Sequence, residues 1–150
     1  MKKTFSILIM VSIFTLINAQ SDESVKVKIY ALNFMSLYYR DCSIKDVKRE
    51  GFYVQTANTN YIKEANFDNL LKHLEKDNNI NLNMFEDYRA ILTVYKRGGK
   101  KETYFILGTG HIVYKNKCYK ANYPLIAAIY SFLPDIFFTS FYEKYPDGFQ

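Results

Sequence analysis

The chain has 150 residues, with 20 Lys+Arg against 15 Asp+Glu, and its bulk comes from 14 Tyr and 12 Phe, with no Trp. Two of those lysines lie in a leader sequence; without them 18 basic residues face 15 acidic ones, a net charge of +3. So small an excess gives no reason to expect nucleic acid as a partner.

The leader is MKKTFSILIMVSIFTLINAQ. Lys2 and Lys3 precede an apolar run from Phe5 to Ile17, and Ala19 supplies the small residue of a cleavage site. This is the pattern of a secretory signal peptide covering residues 1–19. The run is broken by Ser6, Ser12 and Thr15 and falls short of the roughly 20 apolar residues of a membrane span. The mature chain, residues 20–150, is therefore expected to be periplasmic or secreted, without a transmembrane segment. It is expected to form a single domain with an aromatic tail over about 135–150.

VKVKIYAL, residues 25–32, alternates apolar and polar positions with the period of a half-buried strand, and its wet face carries Lys26 and Lys28. DCSIKDVKRE predicts a short helix capped by Asp41 or Ser43 and ended by Gly51; FYVQTA follows as a strand and NTN as a turn. Asn66 is placed to cap a helix running to about Lys76, with Phe67, Leu70, Leu71 and Leu74 on one face. His73 then lies at that helix's boundary, an ordinary surface position.

The stretch YRAILTVYKRGGKKETYFILGTGHIVY reads as a long hairpin. A two-residue Gly98-Gly99 loop would oppose Val94 to Thr103, Leu92 to Phe105 and Ala90 to Leu107 on a core face. Ile91, Thr93, Tyr95, Glu102, Tyr104 and Ile106 would form a mixed opposite face. Gly108-Thr109-Gly110 reads as a turn, because a phosphate-binding loop would open onto a helix and here a strand follows. A smaller hairpin with Asn116-Lys117 as its loop would pair Tyr114 with Tyr119. Residues from about 123 to 133 predict a buried helix with Pro124 in its first turn and Pro134 as its stop. Phe137, Phe138, Phe141 and Tyr142 then cluster at helical spacing in the tail.

Cys42 and Cys118 are the only cysteines. Export permits pairing, and a disulfide would close a loop of 76 residues, from 42 to 118, worth roughly 4.5 kcal/mol by the chain-entropy account. Two separately buried thiols are the alternative. The four scattered His and Cys residues have no ligand pair at zinc spacing, so neither a metal nor another cofactor is expected.

Candidate binding residues are Lys96, Arg97, Lys100 and Lys101 at the hairpin tip and Phe137, Phe138, Phe141 and Tyr142 in the tail. The tip lysines and arginine either splay into water and keep the tip soluble or meet an anionic surface. His111 has no nucleophile or carboxylate at a telling spacing, and the adjacent Glu86 and Asp87 read as exposed loop acids. No catalytic residue is assigned.

LINAQ at the leader's end, YRAILTVYKRGGKKETYFILGTGHIVYKNKCY in the sheet and NYPLIAAIYSFLP in the last helix together resemble small exported α+β proteins of the Bacteroidota. The resemblance spans about the C-terminal half of the mature chain. It implies an envelope location and carries no activity and no functional residues with it. The fold class expected is α+β, an antiparallel sheet of hairpins with two to three packed helices. The function expected is an exported, non-enzymatic interaction protein, with an immunity or inhibitor role as one form, whose partner is an envelope protein or an anionic surface. A periplasmic carrier of small apolar ligands is the alternative, and an enzyme comes third.

Overall fold

A computed structural model describes residues 23–33, 41–80, 87–120 and 123–134. The leader, Glu86 and the aromatic tail, with Phe137, Phe138, Phe141 and Tyr142, lie outside the described residues. The elements in chain order are β1 (Ser24–Ala31), α1 (Ile44–Glu50), β2 (Phe52–Thr56), α2 (Thr59–Glu64) and α3 (Phe67–Lys72). They continue with β3 (Tyr88–Lys96), β4 (Lys101–Leu107), β5 (Ile112–Tyr114), β6 (Lys117–Tyr119) and α4 (Tyr123–Tyr130). The fold is α+β: the six strands form one antiparallel sheet in the order β2-β1-β3-β4-β5-β6.

The alternation of each strand divides the sheet into two faces. On the inner face Val27, Ile29, Ala90, Leu92, Val94, Tyr104, Ile106 and Ile112 are buried against Ile62 of α2, Phe67 of α3 and Leu125, Ile126 and Ile129 of α4. Tyr130 ends α4 inside this core and donates its hydroxyl to the Leu32 carbonyl at 3.2 Å. On the outer face the described residues cover only one end. There Leu32, Cys42, Val47 and Ile91 form a smaller cluster, with Ile44, Tyr88 and Phe105 packed on it.

Local chemistry explains the helix ends. Ser43 caps α1 reciprocally with Asp46: the Asp46 N–H donates to Ser43 Oγ at 3.3 Å and the Ser43 N–H donates to the Asp46 carboxylate at 3.0 Å. Residues 58–60, expected as a turn, instead start α2, because the Asn58 side chain accepts from the Asn60 N–H at 3.1 Å. The helix expected to reach Lys76 stops at Lys72. Beyond it the backbone joins the sheet edge: Asp77 N–H donates to the Cys118 carbonyl at 3.0 Å and Lys120 N–H to the Glu75 carbonyl at 2.8 Å. Covering β6 with this segment satisfies edge groups that a longer helix would leave open.

The register of the long hairpin differs from expectation by one residue and that of the small hairpin by two. The Lys96 N–H donates to the Lys100 carbonyl at 2.8 Å, so the loop has three residues, Arg97, Gly98 and Gly99, with Gly99 at φ 80. Val94 therefore opposes Glu102, Leu92 opposes Tyr104 and Ala90 opposes Ile106. A one-residue slip exchanges the faces of a strand, and so Tyr104 and Ile106 enter the core while Thr103 and Phe105 turn outward. In the small hairpin Tyr114 opposes Lys117, because Lys115 and Asn116, at φ 48 and 56, form the loop.

Cys42 and Cys118 are both buried and do not form the expected disulfide. Cys42 packs on Ile91 of β3, whereas Cys118 is mid-strand in β6, three strands along. Three strand spacings come to about 14 Å, twice the ~7 Å between Cα atoms that a disulfide can bridge.

Candidate functional site

Of the four tip cations only Lys96 is buried; Arg97, Lys100 and Lys101 are exposed. Lys96 points to the inner face and is 7% exposed; its ammonium pairs with the Asp68 carboxylate and donates to Ser24 Oγ at 3.2 Å. Ser24 donates to the same carboxylate from its hydroxyl at 2.6 Å and from its N–H at 3.0 Å. An irregularity in the β1–β3 register between Ser24 and Lys26 places Ser24 opposite Lys96 and so makes this knot. Burial acts to raise the Asp68 pKa, but the Lys96 and Ser24 donors outweigh it and hold the carboxyl below its ordinary range.

Arg97 meets Glu23 at 2.8 Å, and the second Glu23 oxygen takes Lys63 at 3.0 Å. Lys100 meets Glu102 at 2.9 Å, where the Tyr114 and Tyr104 hydroxyls also donate, at 2.8 and 3.2 Å. Burial acts to raise the Glu102 carboxyl too, and these three donors together lower it. Three of the four tip cations are thus answered by acids of the chain itself.

Lys101 belongs to the other face. Across the outer face, register places Lys26, Tyr95 and Lys101 in one row, and Gln55, Lys28, Thr93 and Thr103 in the next. The third row is Tyr53, Tyr30, Ile91 and Phe105. The ammonium groups of Lys26, Lys28 and Lys101 stand 5.5, 5.8 and 6.0 Å from the Tyr95 ring centroid, within range of the ring's negative face. Thr93 and Thr103 hydroxyls meet at 3.4 Å beneath them, and Tyr30 packs on Tyr53 at 4.7 Å. Among the described residues no carboxylate pairs with any of these three lysines. Helix α1 covers only the apolar end of this face, around Ile91.

The alternation of VKVK marked Lys26 and Lys28 as one wet face. Tyr95 and Lys101 join them only because β3 pairs with both β1 and β4, a long-range choice with no local signal. Expectation set Tyr95 beside Glu102; the one-step register puts Lys101 there instead.

Two constellations that resemble catalytic sites were not legible in the sequence. His111 Nδ1 lies 3.0 Å from Thr109 Oγ1 and His111 Nε2 lies 3.5 Å from an Asp77 oxygen, a hydroxyl–imidazole–carboxylate series. Acyl transfer also needs N–H donors aimed at a developing oxyanion. The Gly108 and Gly110 N–H groups of this turn are spent on the Asp87 and Leu107 carbonyls, at 2.7 and 2.8 Å. Ser24 and Lys96 form the other, but Ser24 is 1% exposed and its hydroxyl proton goes to Asp68. Both act as clasps between segments, joining His111 to Asp77 and Ser24 to Asp68. Asp87, expected as an exposed loop acid, is a third: its carboxylate takes the Cys42 N–H at 3.3 Å and Arg89 at 3.0 and 2.9 Å.

Burial pushes both the Cys42 and the Cys118 thiol up from the ordinary cysteine value, away from a reactive thiolate. Among the described residues no group of three or more His, Cys, Asp or Glu could hold a metal ion, and no helix is long and apolar enough to cross a membrane. No family model, curated protein or solved structure matches the chain.

Proposed function

We propose that this chain is an exported, non-enzymatic interaction protein of the cell envelope, of the immunity or inhibitor kind, that contacts its partner through the cationic half of the outer sheet face. The observation that carries this reading is the row Lys26–Tyr95–Lys101. Its lysines gather on one ring with no acid of their own among the described residues, while the neighbouring tip cations are each answered internally. Exposed, uncompensated like charge costs stability, and such clusters are characteristic of binding surfaces. The leader pattern supports export, and the aromatic tail supplies a second contact element from the sequence.

The test is affinity capture from crosslinked envelopes with the mature chain tagged at its N-terminus. One enriched protein, lost in Lys26→Gln/Lys101→Gln, is expected. No retained protein, or a saturable hydrolase activity lost in His111→Ala, would overturn the reading.

An apolar-ligand carrier is the second reading, favoured by an open cleft of ≈ 460 Å³ lined by Tyr61, Ala65, Ser131 and Phe132. Its volume is in the range of small-molecule sites. Lipid that co-purifies with the mature chain, and is displaced when Ala65 is changed to Phe, would establish it in place of the first.

A further inference from the structure

The interaction reading leaves the chemistry of the partner open, and the geometry points to a polypeptide segment that presents acidic side chains at alternating positions. This inference rests on that reading. Lys26 and Lys28 leave the same face of β1 two residues apart, a spacing of about 6.8 Å. An extended chain presents every second side chain at the same interval. Carboxylates at alternate positions of such a segment fall into step with the two lysines, and Lys101, two strands away in the row of Lys26, is placed to meet a third acid on a neighbouring part of the partner.

Other anions fit less well. The centroid distances of 5.5, 5.8 and 6.0 Å allow pairs of ammonium groups to be as far apart as about 12 Å, a reach comparable to the ~8–10 Å screening length. The N–H groups between them are committed to the ladder of an interior strand, since β3 is paired on both sides, so no backbone nest is left to cradle a compact anion. A bilayer surface would be met best by cations flanked with exposed apolar side chains that insert. Among the described residues the exposed large apolar side chains are Phe52, Tyr53 and Tyr61, none of them in the row of Tyr95. Thr93 and Thr103 complete the surface with hydroxyls, which suit the polar backbone and side chains of a peptide.

The experiment uses the mature chain and four probes: a labelled peptide alternating Glu and Thr over about a dozen residues, its Gln–Thr counterpart, phosphatidylglycerol vesicles and heparin. The expected result is saturable binding of the Glu–Thr peptide alone, weakened about tenfold by Lys26→Gln/Lys101→Gln and again by added salt, as solvent-accessible charge pairs at an interface imply. Lys101→Gln alone, at an exposed position, reads the same loss in the same direction if the double variant folds poorly. No saturable binding of the Glu–Thr peptide, or binding unchanged in the variants, overturns the inference. So does heparin or vesicle binding through the same lysines that the peptide fails to displace. If Lys26→Gln/Lys101→Gln still retains the envelope protein captured by the wild type, this inference fails while the broader interaction reading stands on another surface.

Discussion

Lys26 of β1 stands directly opposite Tyr95 of β3, with its ammonium 5.5 Å from the ring centroid. Two further lysines share that ring, so the attraction between cation and ring is set against repulsion among the cations. Repulsion between exposed charges is screened by salt, whereas cation–π attraction at contact distance is screened less. Raising sodium chloride from low to physiological strength should therefore stabilise the wild type, by on the order of 0.5 kcal/mol, and should do so less in Lys26→Gln/Lys101→Gln. Urea unfolding at two salt concentrations measures it; an equal salt effect in both proteins would show that the cluster is not repulsive.

Asp68 is the sole carboxylate in the Ser24–Lys96 knot. Asp68→Asn leaves the buried ammonium without its counter-charge, which costs ~3–5 kcal/mol in a fully buried pair. Asp68 is 35% exposed, so a loss of about 2 kcal/mol is expected. Because folding lowers the Asp68 pKa, its contribution is complete above the unfolded value near ~3.9 and fades as pH falls through the folded value. The wild type should lose this increment on acidification below about pH 4, and Asp68→Asn/Lys96→Met should lose less. Denaturant midpoints at pH 7 and through the acid limb check both the size and the sign.

A three-residue loop needs left-handed backbone at Gly99 alone, whereas a two-residue type I′ turn needs it at both glycines. Gly99 has φ 80, and a methyl group in place of its hydrogen would meet only open space, so the cost of Gly99→Ala is purely conformational, about 1 kcal/mol. Gly98→Ala is expected to be near neutral. Equal losses at the two positions, measured by chemical denaturation, would return the hairpin to the two-residue register.

Cys42 and Cys118 lie on different parts of the outer face. The unreduced mature protein should show two reactive thiols after denaturation and slow modification in the native state, because both side chains are buried. A thiol count of zero in denaturant would mean that the pair is oxidised and that the sheet has shifted to join them.

Much of the fold was legible because it is written locally. The alternation of Val27, Ile29 and Ala31, the Ser43 cap, the Gly108–Gly110 turn and the apolar helix before Pro134 are each fixed by residues within a few positions of one another. What was hidden depends on distant partners. The helix after Asn66 has the right period beyond Lys72, but pairing of residues 75–77 with β6 overrides it. One added loop residue at Arg97–Gly99 moved Tyr104 and Ile106 into the core and turned Thr103 and Phe105 outward. The candidate site suffered most from this: Lys101 lies 73 positions from Lys28 and 75 from Lys26, and the three meet only through the β1–β3–β4 order. Lys96, expected as a surface cation, is buried because Asp68 and Ser24 reach it from elements far along the chain.

The most direct measurement is lysine footprinting by reductive methylation, comparing purified mature protein with the protein in intact envelopes. Lys26, Lys28 and Lys101 should be modified in the purified protein and protected in envelopes, while Lys45 and Lys48, exposed on α1, should react in both. Equal modification of Lys26, Lys28 and Lys101 in the two samples would contradict the claim that this face is where the protein meets its partner.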